Sequence, residues 1–298
     1  GRVDMSRPNL RLAALRRFAI TISVLNVLGH TVLGFENSPA QMLVALLAAY
    51  ITELLLEIVD AWATKRSPRF AGGVTNFIDF LLPAHISGLA VSMLLYAGGL
   101  LLPFAFAAAV AIASKALFTV TVNNAERHFL NPSNTGIALT VFLFPALAPI
   151  MPWQFTETLS SNLSSAFPVL IICLGTFMNV RYAKRMPLVL GWVFAFALQG
   201  VIRCLVNDLP LVVGLVPMTG VSFVLFTFYM ITDPGATPSD WRQQVIFGAA
   251  TALVYCLLVI SHIGFAFFYA LLIVSFARGV ILYVQDCRIA ANPSLSSS

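Results

Sequence analysis

Ten apolar runs, each about as long as a bilayer is thick, constrain this chain more than any other feature. A helix crossing the hydrocarbon core of a membrane needs about 20 mostly apolar residues. By that rule spans are expected near 18–35, 40–62, 78–97, 100–120, 136–152, 166–182, 187–206, 210–231, 243–261 and 264–284. The eighth holds Gly214, Pro217 and Gly220 and reads as broken or re-entrant. Of the 298 residues, 59% are hydrophobic and only 10% charged, whereas soluble domains carry roughly 25% charge. The expected fold class is all-α: a polytopic membrane protein of about ten transmembrane helices. A basic segment (1–17) precedes a single transmembrane domain (18–284), and a tail (285–298) that ends in PSLSSS reads as disordered.

The basic residues support this count. With the N-terminus inside, every one of the 17 Lys and Arg except Arg203 and Arg278 falls in a segment assigned to the inner side. The outer segments near 36–39, 98–99, 153–165, 207–209 and 262–263 hold none. Positive charge concentrated in the inner loops orients membrane proteins, so both termini are expected in the cytoplasm. The net charge of +5 is thereby a topology signal, not a nucleic-acid footprint. Arg7–Arg17 precedes an apolar run too long for a signal peptide and without its small-residue exit.

Two polar breaks interrupt this apolar background. One is Asn131-Pro132-Ser133-Asn134-Thr135-Gly136, the other Thr232-Asp233-Pro234-Gly235-Ala236-Thr237. Proline lacks the N–H that a helix uses, and glycine tolerates the left-handed conformation that closes one. Within a membrane such a break is tolerated only against protein, water or a ligand. Both breaks fall on the inner side, so their meeting is plausible. Asn131, Ser133, Asn134, Thr135, Thr232, Asp233 and Thr237 then either line a polar binding site or cap their own helices and bind one another.

Other polar residues have two readings each. Glu53, Glu57 and Asp60 are spaced i, i+4, i+7 on one face of the second span. They form an ion or proton path, or they pair with Lys65, Arg66 or a neighbouring helix. Lys115, near the inner end of the fourth span, snorkels or contacts a phosphate. Asp79, His85 and His30 read as structural, Arg203 as a partner of Asp208, and Arg278 as needing Asp286 or another inner carboxylate. Cys173, Cys204, Cys256 and Cys287 show no metal or redox spacing. There is no GxSxG, HExxH, P-loop or strand-framed GxGxxG, which excludes soluble hydrolase and kinase chemistry.

Five blocks, in order, carry a resemblance: EIVDAWATKRSPRF (57–70), ISGLAVSMLL (86–95), Lys115 with FLNPSNTG (129–136), RYAKRMPLVL (181–190) and FTFYMITDP (226–234). Together they resemble the membrane family that includes the D subunit of Rnf electron-transport complexes and the B subunit of sodium-translocating NADH:quinone reductase. Within it the chain looks most like the shorter UnbU-type proteins of enediyne biosynthetic gene clusters. The resemblance implies a flavin-dependent electron-transfer subunit in a bacterial inner membrane, working with redox partner subunits. It also implies a non-covalent flavin, riboflavin or FMN, near Lys115, Asn131, Ser133, Asn134, Thr135, Thr232, Asp233 and Thr237, and two related five-helix halves. The family's covalent FMN site is not expected here: Ser164-Ser165-Ala166-Phe167-Pro168 stands where the family has S-G-A-T-P, and Phe167 has no hydroxyl to esterify. Gly235-Ala236-Thr237 lies on the inner side and is not that motif. A transporter or channel, or a cofactor-free scaffold subunit, remain the alternatives.

Overall fold

A computed structural model of the chain describes residues 6–122, 125–147 and 161–291. α1 (Ser6–Leu28) runs into a π turn (Gly29–Leu33) that stops at Gly34, left-handed with φ 80°. α2 (Pro39–Ala63) opens on a capping box in which Ser38 Oγ accepts from the Gln41 N–H and Gln41 Oε1 from the Ser38 N–H. α3 (Val74–Leu94), α4 (Leu102–Leu117) and α5 (Pro132–Leu143) follow, with a two-stranded antiparallel hairpin, β1 (Thr119–Val122) and β2 (Ala125–His128), between the last two. α6 (Ser161–Met178) ends, like α1, in a π turn (Asn179–Ala183) closed by a left-handed residue, Lys184. α7 (Met186–Val206) leads to a bent element: α8 (Leu211–Leu215), a 3₁₀ turn (Val216–Thr219), α9 (Val221–Leu225) and a π turn (Phe226–Met230). α10 (Trp241–Ile260) and α11 (Ala266–Ala291) complete the chain.

The protein is helical and built for a membrane. Five helices, α2, α3, α7, α10 and α11, are long and apolar enough to cross one, and the α8–α9 pair, bent by 65°, makes a sixth if it is counted as one span. Their outward faces are bulky and apolar. α7 exposes Leu190, Phe194, Leu198 and Ile202 at steps of four, and α2 exposes Leu43, Leu47, Ile51 and Leu55. The buried face of α2 carries three small residues, Ala45, Ala49 and Ala61, together with Gln41 and Glu57. Bulk outside and small residues between helices is the arrangement that lets helices approach closely in lipid.

Several elements depart from the sequence expectation. α4 stops at Leu117, where Thr119-Val120-Thr121-Val122, a β-branched run, turns into the hairpin instead of finishing a span. α5 begins at Pro132 and ends at Leu143, because Phe144 precedes Pro145 and that position disfavours helix. The basic segment is helical from Ser6, and α11 continues past 284 to Ala291. The rest of the tail and residues 148–160 lie outside the described residues.

The two halves pack alike. α2 lies against α3 and α4, and α7 likewise against α8 and α10. α1 meets α3 as α6 meets α9, α4 meets α5 as α10 meets α11, and α5 touches α11 across the middle. Single asparagines repeat the pattern. Asn26 Nδ2 donates to the Ile22 carbonyl and to Met93 Sδ, while Asn179 Nδ2 donates to the Gly175 and Phe228 carbonyls. In this pairing the 232–237 break follows the third element of its half, whereas the 131–136 break follows the fourth. The two breaks are therefore not equivalent positions, and their lying at one place does not conflict with a repeat.

Candidate functional site

The two breaks meet. Asn131 is the N-cap of α5: its Oδ1 accepts from the Asn134 N–H at 2.9 Å and from the Ser133 hydroxyl at 3.0 Å. Its Nδ2 reaches across to the Met230 carbonyl at 3.0 Å, at the end of the α9 π turn. Pro132 at the first helical position has no N–H to leave unpaired. Three residues upstream of Asn131, His128 Nε2 lies 3.3 Å from Asp233 Oδ2, and its ring occupies the place a Cβ at Gly235 would take. Asp233 Oδ1 accepts the Gly235 N–H at 2.9 Å, the Asx-type turn that this residue type favours before glycine.

The remaining expected residues are tied locally. Thr135 Oγ1 donates to the Asn131 carbonyl, Thr232 Oγ1 to the Phe228 carbonyl and Thr237 Oγ1 to the Asp233 carbonyl. Thr237 also accepts from Arg185 Nε at 2.9 Å. Asn134 Nδ2 donates to the Phe268 carbonyl on α11, and its Oδ1 is buried with no hydrogen-bond partner. Asn131 thus carries both a helix cap and an inter-break tie. Asn131→Ala removes the cap, worth about 1 kcal/mol, and strands the buried Met230 carbonyl, a further cost of about 1–3 kcal/mol. Thermal unfolding in detergent should show a clear fall in Tm; an unchanged Tm would mean that the breaks do not hold each other.

The junction is cationic. Arg185, 7% exposed, donates to Thr237, to the Ala183 carbonyl and to the Pro234 carbonyl. Burial pulls its guanidinium below the ordinary arginine range; Asp233 acts against that and Arg127 adds to it. Burial works to raise the Asp233 carboxyl. The bond and charge of His128, the Gly235 N–H and the charge of Arg185 outweigh it and hold the group below the usual carboxylate range. Arg278, from α11, donates to the Ala236 carbonyl at 3.1 Å. That carbonyl, rather than Asp286, is the partner found for the arginine that the sequence left unpaired.

Lys115 and the acidic face of α2 form a separate system. Lys115 Nζ is 2.7 and 2.8 Å from the two oxygens of Glu53. Glu57, 5% exposed, and Asp60 converge on Arg66 and Arg69, with the Arg69 N–H donating to Glu57 Oε1 at 2.6 Å. Bonds to Glu57 and then Asp60 hold the Arg66 guanidinium above its ordinary range. Lys65 is left-handed (φ 52°) at the helix end, and Arg66 is the pairing residue. Asp79 pairs with Arg16 through two bonds, and Arg203 binds the Gln199 side chain.

Sequence reasoning missed His128, Arg185 and the setting of His85. His85 bridges Ser23 Oγ (2.6 Å) and Tyr50 Oη (2.5 Å), linking α1, α2 and α3. Ser23, Tyr50 and His85 are too widely separated for any motif to join them. Arg185 stood inside a quoted block, and only its depth marks it. Among the described residues no cluster of His, Cys, Asp and Glu is suited to a metal ion. In comparisons with known proteins, the chain matches no family model and no curated protein.

Proposed function

We propose that the chain is a membrane electron-transfer subunit of a bacterial inner membrane, working with a non-covalent flavin (riboflavin or FMN) and with redox partner subunits. In this reading it makes ten crossings with both termini in the cytoplasm. Its two halves, of five elements each, are then inverted relative to one another, since an odd number of crossings reverses direction. The supporting observation is the meeting of the two breaks through Asn131–Met230 and His128–Asp233. Polar, non-helical backbone is concentrated there, which a membrane protein tolerates around a ligand or within protein.

The residues fit a flavin edge in a restricted way. The hydroxyls of Ser133, Thr135, Thr232 and Thr237 are already donating, so they shape the wall. Asn134 Oδ1 is the open buried acceptor, suited to a ring N–H. Lys115 is engaged by Glu53 and contributes by holding α4 against α2. A bound flavin supplies one- and two-electron redox chemistry, while the protein sets its orientation and field. Asp233 places negative charge beside that position and Arg185 positive charge.

The test is an absorbance spectrum of detergent-purified protein, followed by acid release and mass identification. A band near 450 nm with releasable riboflavin or FMN is expected. Colourless, well-folded protein from cells grown with ample riboflavin would overturn the reading. In flavin-replete protein, Asp233→Asn should raise the midpoint potential, by about 30 mV for each 1.4 kcal/mol of charge interaction removed in a two-electron couple. An unchanged midpoint would remove Asp233 from that role.

A second reading, ion or small-molecule transport, is favoured by the bent α8–α9 element and by the Glu53–Lys115 pair. Proteoliposome uptake lost in Glu53→Gln would select it.

A further inference from the structure

The link between the first and second helix of each half makes the same tie in two different ways. In the first half Asn37, between the α1 π turn and α2, donates its Nδ2 to the Ser92 and Leu95 carbonyls at the end of α3. In the second half Arg185, between the α6 π turn and α7, donates to the Pro234 carbonyl and Thr237 after the third element. A neutral amide suffices for this tie. A guanidinium in the same role brings a charge into a site where it is 7% exposed, at a desolvation cost that the amide avoids.

That charge is not alone. Arg278 donates into the same turn, at the Ala236 carbonyl, and Arg127 and Arg185 are its charged neighbours. Arg127 lies exposed on β2, next to His128. Among the described residues no carboxylate forms an ion pair within 4 Å of any of the three. Asp233 is the one acid acting on Arg185, and its carboxylate already faces His128 and the Gly235 N–H. Arg185 and Arg278 therefore both donate into the 232–237 turn, with Arg127 beside them, and the one carboxylate that acts on Arg185 is already occupied. Of five N–H groups each, Arg185 uses three and Arg278 one.

We infer that Arg185 and Arg278, with Arg127 at the rim, bind a phosphate-bearing anion where the 232–237 turn meets the β1–β2 hairpin. The planar guanidinium presents paired N–H groups that match phosphate oxygens, and this is the recognition that arginine clusters serve best. The phosphate belongs either to an acidic phospholipid headgroup or to a soluble phosphate. The site does not depend on the flavin reading, and the probes below contain none.

The test uses the full chain in nanodiscs of pure phosphatidylcholine. Tm is followed while inorganic phosphate replaces chloride at constant ionic strength. In a second arm without phosphate, phosphatidylglycerol replaces part of the lipid. A rise in Tm is expected in one arm: the first identifies a soluble phosphate, the second a headgroup. Arg278→Gln should raise the half-saturating concentration about tenfold, and Arg127→Gln, at the rim, a few-fold. Arg185→Gln also removes structural bonds, so the other two variants carry the test. No stabilisation in either arm, or equal stabilisation of wild type and both variants, would overturn the inference.

Discussion

Gly136→Leu should yield little or no folded protein, whereas Gly99→Ala should behave as wild type. A Cβ added at Gly136 would lie 2.1 Å from the Ala107 carbonyl oxygen and 3.0 Å from Ala111 Cβ. The first is backbone and cannot rotate away. α4 offers Ala107, Ala108 and Ala111, all fully buried, so α5 sits directly on its backbone. Overpacking a core ordinarily costs about 1–3 kcal/mol, occasionally more. Here the new atoms would force α5 off α4 and carry the Asn131 cap and its tie to Met230 with it. A Cβ at Gly99 meets nothing within 4 Å. The measurement is the monodisperse fraction after detergent extraction, with Tm where protein is recovered. Folded Gly136→Leu at wild-type yield would mean that α4 and α5 are not in this contact.

The second large effect concerns Glu53 and Lys115, whose side chains are 13% and 23% exposed between apolar helices. Lys115→Met leaves a carboxylate without its cation, and breaking such a pair costs about 3–5 kcal/mol. Glu53→Leu alone leaves the ammonium, which has a long stem and can reach the interface, so its cost is smaller. The double variant removes both charges and should recover most of the stability, since apolar replacement of a buried pair is often neutral or better. Unfolding midpoints of the four proteins form a double-mutant cycle. A Lys115→Met protein as stable as wild type would show that the pair contributes nothing. Should the double variant fold but lose uptake activity in proteoliposomes, the Glu53–Lys115 pair serves transport.

Much of the architecture is written locally. Apolar length marks α2, α3, α7, α10 and α11, and the Pro217/Gly220 bend is readable because those two residues act on their own backbone. The Asn131 cap was legible for the same reason: a side chain accepting from an N–H three residues on needs no other part of the chain. Where local signals competed, length alone misled. Pro145 ended α5 early, and the Thr-Val-Thr-Val run drew the end of the fourth span into a hairpin.

The sequence by itself determined that this is a helical membrane chain with two polar breaks. Only the tertiary structure decided what each ionised group faces. Lys115 found Glu53, Asp79 found Arg16, and Arg278 found a carbonyl in place of a carboxylate. His128 and Asp233, 105 residues apart, became neighbours, and Arg185 became a buried cation where its counterpart is a neutral asparagine. The physical reason is that caps, bends and spans depend on backbone groups a few residues away, whereas a charge is satisfied by whatever packing brings within a few ångströms.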